Sequence, residues 1–316
     1  MKHSTKPNVV FLMGPTAAGK TNTAIYLSQH LSLDLISVDS SLVYRGMDIG
    51  TAKPSQAELK IAPHKLISIR EPTAPYSAAD FCTDATREIN QILARGRIPL
   101  LVGGTMFYFK ALEYGLSDLP EADPEIRSQI SVEAHELGWP VMHEKLAAAD
   151  PVTASKIDPN DAQRIQRALE VLIISGDAPS KIMMNPAEFK YNPIKLALVP
   201  SDRKQLHQRI EQRFESMLVQ GLVQEVEKIL KLEGIDPSLP AMRMVGYRQV
   251  GKYLTGEISY SDMKERAIAA TRQLAKRQLT WIRHYEGIES FDCLDANVAE
   301  QCLRYLQEQL EIQARK

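Results

Sequence analysis

Residues 8–21, "NVVFLMGPTAAGKT", constrain the fold of this chain more than any other stretch. The apolar run ending at Gly14 reads as a strand buried on both faces, the kind found in parallel sheets. "KTNTAIYLSQHL" follows with helical spacing. Between them Gly14, Pro15, Thr16, Ala17, Ala18, Gly19, Lys20 and Thr21 satisfy G-x-x-x-x-G-K-[ST], in the strand-to-helix context that this pattern requires. Glycines let backbone N–H groups turn toward an anion, and the helix start adds partial positive charge. Lys20 contributes a full charge, and Thr21 offers a hydroxyl to Mg²⁺. The expectation is a diphosphate or triphosphate site, with the bearer of the phosphates left open.

The rest of the chain repeats the strand–helix alternation up to about residue 115. "LDLISVDS", "APHKLISI" and "IPLLVGG" read as strands, and "YSAADFCTDATREINQILARG" and "TMFYFKALEYG" as helices. This predicts an α/β fold, a P-loop NTPase-like doubly wound parallel sheet, with function at the carboxyl ends of the strands. Those ends carry Gly14, Asp39 and Gly103-Gly104-Thr105. Residues 116–194 keep helical spacing broken by Pro and Asp and offer no strand, so they read as an inserted all-helical module. "IKLALVPSD" (194–202) resumes the sheet, and 202–232, 261–286 and 297–314 look helical. The expected organisation is a core of 1–115 and 195–316, with a helical C-terminal part, around the insertion.

No apolar run approaches the ~18–20 residues of a membrane span, and "MKHSTKPNVV" lacks a signal-peptide apolar stretch. A cytoplasmic protein with no membrane partner is expected. Three cysteines fit neither a zinc site nor a disulfide framework. The net charge of -1 gives no global attraction to a polyanion, but "RAIAATRQLAKRQLTWIRHY" (266–285) holds five Arg or Lys and no acid. Within it Arg272, Lys276 and Arg283 fall on one helix face, where a phosphate backbone could be tracked.

Asp39, delivered to the end of the second predicted strand, is open to three roles: magnesium ligand, cap of its own loop, or base. A P-loop kinase would place a nucleotide's phosphates in the cradle and attack phosphorus. A transferase with a diphosphate leaving group would use the same cradle while carbon is attacked. A third class is an RNA-binding protein whose cradle senses nucleotide.

Taken together, "GPTAAGKT", "DSSLVYRGMDIGTAKP", "YSAADF", "LLVGGTMFYFKAL", "DPNDAQRIQRALEV", "RMVGYRQ" and "ATRQLAKRQLTWIR" resemble the bacterial tRNA dimethylallyltransferases, also called tRNA isopentenyltransferases. The resemblance runs in order from about residue 8 to 286. It implies transfer of a dimethylallyl group from dimethylallyl diphosphate to N6 of the adenosine 3′ of the anticodon, position 37, in tRNAs reading codons that begin with U. Mg²⁺ is the implied cofactor, the tRNA anticodon stem-loop the implied partner, and a monomer is expected.

By the same resemblance Asp39 is the general base, and Lys20 and Arg213 stabilise the leaving diphosphate. Thr105 contacts the substrate adenosine. Arg213 on an amphipathic helix is otherwise an ordinary surface arginine, and Thr105 is otherwise a helix cap. The chemistry suits the assignment, because an exocyclic adenine amine is a poor nucleophile that a carboxylate can orient while accepting its proton. Segments implied to face the tRNA are Asp39, Ser40, Ser41 and Leu42; Gln163, Arg164, Ile165, Gln166 and Arg167; Arg243, Met244, Val245, Gly246, Tyr247 and Arg248; and Lys276, Arg277, Gln278, Leu279, Thr280, Trp281, Ile282 and Arg283. Arg127 is a further implied contact. Trp281 is open to core packing or base stacking. The insertion is implied to clamp the anticodon stem-loop. "HKLISIREP" departs from the family pattern, so no role is carried onto it, and the tail beyond 287 is expected to pack as a helix on the core.

Overall fold

The computed structural model describes residues 6–117, 119–182 and 189–314. It divides into two compact units, residues 1–113 with 189–316, and residues 114–188. The first unit is built on six strands: β1 (Asn8–Met13), β2 (Leu33–Val38), β3 (His64–Lys65), β4 (Ile98–Gly103), β5 (Asn192–Val199) and β6 (Ile288–Asp292). They form one parallel sheet in the order β3-β2-β4-β1-β5-β6.

Alternation along the strands explains the layers. Val9, Phe11, Met13, Ile36, Val38 and Leu101 point into one apolar cluster, and Val10, Leu12, Leu33, Leu35, Leu100 and Val102 into the other. On the second face lie α1 (Lys20–His30) and α13 (Val298–Ala314). The first face is covered by α3 (Ala78–Ala94), α4 (Met106–Tyr114), α10 (Leu222–Leu230), α11 (Tyr247–Leu254) and α12 (Tyr260–Arg283). A short α2 (Gln56–Ile61) follows β2, and α9 (Arg203–Gln220) follows β5. Helix starts are set locally: Ser77 with Asp80 and Ser259 with Asp262 form reciprocal capping boxes at α3 and α12.

The second unit holds α5 (Pro124–Leu137), α6 (Trp139–Ala149), α7 (Pro151–Ala154) and α8 (Ala162–Ser175), and its own core includes Ile130, Met142, Leu146 and Ile165. No strand occurs among its described residues. Residues 118 and 183–188, expected within the helical insertion, lie outside the described residues.

Four expectations change. The third strand shrinks to two residues, because the chain turns left-handed at Leu66 (φ 62) and Ser68 (φ 53). Residues 68–70 bond instead to the 42–45 loop, with Ser68 N donating to Leu42 O and Ile69 N to Val43 O. The 202–232 helix breaks at Gly221 (φ 103) into α9 and α10. Residues 192 and 193, placed in the insertion by sequence, belong to β5, since they pair with Asn8 and Val9 of β1. The tail is not helix alone, because β6 adds an edge strand whose IESFD sequence carries too few apolar residues to announce itself. Among the described residues no helix is long and apolar enough to cross a membrane.

Candidate active site

The order β4-β1 in the middle of the sheet marks a reversal of winding, and the crevice at the carboxyl ends of such strands is where α/β sheets bind ligands. Here it opens into a cavity of about 840 Å³ lined by the 16–22 loop, Asp39–Leu42, Gly103–Phe107, and faces of α9 and α12.

The cradle begins at Gly14, where a Cβ would press on the Leu198 carbonyl at 2.9 Å. Ala17 (φ 64) and Gly19 (φ 81) adopt left-handed backbone, turning the loop into the start of α1. Lys20 folds back: its Nζ donates to Gly14 O (3.0 Å) and Pro15 O (2.7 Å). Burial pulls its pKa down to about 8, opposed by Asp39 and reinforced by Arg213. Three charged groups from β1–α1, β2 and α9 thus share one electrostatic site.

Asp39 Oδ1 accepts from Ser41 N (2.9 Å) and Ser41 Oγ (2.6 Å), whereas Oδ2 makes no hydrogen bond among the described residues. The carboxylate therefore caps its own loop with one oxygen and has the other free. Ser40 N donates to Thr105 Oγ1 (3.0 Å), while Thr105 N donates to Val38 O (3.2 Å). Thr105's hydroxyl serves the Asp39 loop, and no bond from it to an α4 amide occurs, so the helix-cap alternative gives way to a cross-strand tie. Close packing makes this turn possible, since a Cβ on Gly103 would collide with the Val38 carbonyl. Downstream, Glu225 of α10 accepts from Asp48 N (2.9 Å), Ile49 N (2.8 Å) and Gly50 N (3.0 Å), and Lys53 reaches Tyr44 O, Asp48 and Ser68.

Arg213 lines the cavity from α9; burial depresses its pKa and Asp39 opposes the shift. Sequence reasoning missed three cavity residues. Arg209 lies one turn before Arg213 and bonds Cys293 O (3.0 Å), a position that helical spacing from Arg213 would have found. Ser37, two residues before Asp39 and so on the same strand face, has a buried Oγ without a partner among the described residues. Phe107, 49% exposed at the cavity rim, had no signal beyond its hydrophobicity.

Several residues expected to face RNA do otherwise. Gln278 is buried, its Oε1 accepting from Thr16 N (2.8 Å) and its Nε2 donating to Gly104 O (2.9 Å). It ties the cradle to the Thr105 turn while also lining the cavity. Tyr247 is fully buried with its hydroxyl on Glu225 (2.5 Å), although it borders the cavity beside Gly246. Ile282 and Ile165 are core residues of their units. These corrections share one cause: runs of contiguous residues were carried over from the resemblance, whereas a helix turns some of each run inward. On α12, Arg277, Gln278 and Trp281 line the cavity, whereas Lys276, Leu279 and Arg283 point to another groove. Thr280 is exposed and bonds Lys276 O. Trp281 is 37% exposed with Lys110 Nζ 5.6 Å from its ring centroid, so core packing does not describe it. Arg243, Met244, Val245 and Gly246 line the cavity, and Arg248 is exposed outside it.

Within the second unit Arg127 pairs with buried Glu170 (Nε to Oε1, 2.8 Å), and Arg167 bonds the same carboxylate (2.6 Å) and Pro120 O. Burial pushes the Glu170 carboxyl up, but hydrogen bonds from Arg127, Arg167 and Asp123 N hold it below the ordinary value. Gln166 donates to Arg127 O and Ser131 Oγ, while Gln163 and Arg164 are exposed.

Family profiles described as IPP transferase and isopentenyl transferase match residues 42–285 and 7–71. A tRNA dimethylallyltransferase of Thiobacillus denitrificans is 54% identical over 289 residues, 91% of this chain and 92% of the relative. That of Thioalkalivibrio sulfidiphilus is 54% identical over 291 residues, covering 92% and 91%. Among solved structures, the full-length tRNA isopentenylpyrophosphate transferase of Bacillus halodurans superposes with a TM-score of 0.72 at 34% identity, covering 98% of each chain. A eukaryotic dimethylallyltransferase acting on tRNA gives a TM-score of 0.78 at 26% identity, over 96% of this chain and 80% of that one. With identity and coverage at this level, the chain belongs to the IPP transferase family, that of the tRNA dimethylallyltransferases.

Proposed function

We propose that this protein transfers a dimethylallyl group from dimethylallyl diphosphate to N6 of the adenosine 3′ of the anticodon, position 37, in tRNAs reading codons that begin with U. The carrying observation is that Asp39, with one carboxylate oxygen free, lies in a single cavity with the desolvated cations Lys20 and Arg213. At about 840 Å³ the cavity is within the ~300–1,000 Å³ of ordinary small-molecule sites, sufficient for a prenyl diphosphate and an inserted base.

The diphosphate sits on the amides of the 17–21 loop. On its arrival Lys20 exchanges the Gly14 and Pro15 carbonyls for phosphate oxygens. N6 of a base taken out of its stack attacks the primary allylic carbon, and a C–N bond forms. The C–O bond to diphosphate breaks, its electron pair leaving with the oxygen, where Lys20, Arg213 and Arg209 meet the developing charge. The N6 proton passes to Asp39. Thr105, bonded to Ser40, fixes the loop that carries the base, and Trp281 and Phe107 at the rim offer faces to stacked bases.

The residues present fit Mg²⁺. Among the described residues no cluster of three metal-ligating side chains exists, and Mg²⁺ commonly takes one or two protein groups with substrate phosphates and water. Thr21 would be such a group, and the orphaned Ser37 hydroxyl would be available to a metal-bound water. When bound, the ion neutralises diphosphate charge. The reading includes a monomer acting in the cytoplasm, with exposed Gln163 and Arg164 of the insertion taking part of the RNA contact.

Incubation with unmodified tRNA, Mg²⁺ and dimethylallyl diphosphate, followed by nucleoside mass spectrometry, should show one dimethylallyl mass gain on adenosine at position 37. No gain refutes the reading, and gain on free adenine nucleotides but not on tRNA replaces its acceptor.

A further inference from the structure

β5 carries one charged side chain, Lys195, in a strand whose partners in register, Phe11 and Ile288, are apolar. Lys195 is 8% exposed and points to the sheet face that holds Phe11 and Ala197. There its Nζ meets Glu113 Oε1 of α4 (2.5 Å), donates to Glu286 O (3.2 Å) and lies 5.2 Å from the centroid of the Tyr285 ring. The Tyr285 hydroxyl donates to the other carboxylate oxygen, Glu113 Oε2 (2.7 Å). One cation, one carboxylate and one phenol thus fasten three elements: β5, the last turn of α4 and the residues just past α12.

Stability does not explain such a cluster. Desolvating an ion pair costs about as much as the pair returns, and apolar groups of similar volume in its place are often neutral or better. What directional bonds to both oxygens of one carboxylate supply is a fixed relation between the elements that carry them. Its use is read along the helices. Phe107, Lys110 and Glu113 follow at three-residue spacing on α4, and Trp281 and Tyr285 at four-residue spacing along α12 and its exit. Lys110 Nζ lies 5.6 Å from the Trp281 centroid. The two rows therefore engage twice, at Glu113 with Tyr285 and at Lys110 with Trp281, and the second engagement reaches the cavity, which Phe107 and Trp281 both line.

We propose that Glu113, Lys195 and Tyr285 are positioning residues for the RNA acceptor. They lock α4 to the end of α12 and, through Lys110, hold Trp281 and Phe107 at the spacing that receives a stacked base. None of the three lines the cavity. The inference rests on the tRNA reading above.

The test is Glu113→Leu combined with Lys195→Met, which replaces the pair by apolar groups of similar size. Urea unfolding and calorimetric binding of dimethylallyl diphosphate without RNA should stay near wild type. KM for an unmodified anticodon stem-loop should rise roughly tenfold, the low end of what a lost base–aromatic stack costs. At saturating RNA, kcat should stay within about twofold. The chain has two tryptophans, so a Trp139→Phe background isolates the emission of Trp281. Its quenching by acrylamide should increase in the pair variant with no RNA present. Trp281→Ala should raise KM in the wild type and add little in the pair variant, since both changes remove the same contact. Should the pair variant fail the calorimetric control, Tyr285→Phe, which removes one hydroxyl, decides by the same KM and quenching. Unchanged KM and quenching in a variant that passes the control overturn the proposal, and so do fully additive effects of Trp281→Ala. Wild-type product mass decides the tRNA reading separately, because the quenching needs no RNA.

Discussion

Lys20 is held in the cradle by two backbone carbonyls, and burial lowers its pKa to about 8. A bound diphosphate favours the ammonium and raises that value. Affinity for dimethylallyl diphosphate should therefore be full below about pH 8 and fall by up to tenfold per unit above it, as the free enzyme loses the proton. Calorimetry from pH 6.5 to 9.5 checks this, and Lys20→Arg should flatten the profile. Asp39→Asn should lower kcat by roughly 10²–10⁴ while leaving stem-loop affinity near wild type, measured by single-turnover transfer beside anisotropy. Lost RNA binding with unchanged turnover at saturation would make Asp39 a binding group instead. At this scale the sequence was readable where a motif fixes a residue's place. Lys20, Thr21, Asp39 and Arg213 all reach the cavity. It misled where helix phase decides, as at Ile165 and Ile282, whose side chains turn into the cores of their units from motifs that looked RNA-facing as blocks.

Two element ties hold the site together. Gln278 links α12 to the cradle and to the turn after β4, and Glu225 links α10 to three consecutive amides of the 48–50 loop and to Tyr247. Gln278→Leu removes both bonds and leaves Thr16 N without its partner, which should cost about 1–3 kcal/mol in urea unfolding. The same change should raise KM for dimethylallyl diphosphate more than KM for RNA. Glu225→Ala should cost a similar amount, roughly 2 kcal/mol, by unpairing three amides and a buried phenol hydroxyl. Neither tie was legible, because both join segments at least 170 residues apart, or, for Glu225 and Tyr247, two helices whose packing only the fold defines. Capping boxes such as Ser77 with Asp80 were legible because their partners are three residues apart.

Over the whole molecule, the two units keep separate cores and separate ionic centres, Glu170 with its arginines in one and Lys195–Glu113 (2.5 Å) in the other. Replacing residues 114–188 by a short Gly-Ser link should leave a folded core that still binds dimethylallyl diphosphate by calorimetry but loses most stem-loop affinity. Retained RNA affinity would remove the insertion from the interface. The parallel sheet was predictable because its inner strands are continuous apolar runs. Of its edges, β3 was expected, though longer than its two residues, and β6 escaped because edge strands need not be apolar.

The strand order β4-β1-β5 also has a consequence for how the chain is made. β1 pairs with β5 across some 180 residues that include the entire insertion. On a ribosome adding ~5–20 residues per second, the flank of β1 stays open for about 5–20 s after β4 has emerged. The first half of a phosphate cradle is thus synthesised early and left waiting, while the insertion, with a core of its own, is free to fold in the interval. Synonymous changes that slow translation between residues 104 and 191 should lengthen that exposure and lower soluble yield without altering a single contact in the finished enzyme.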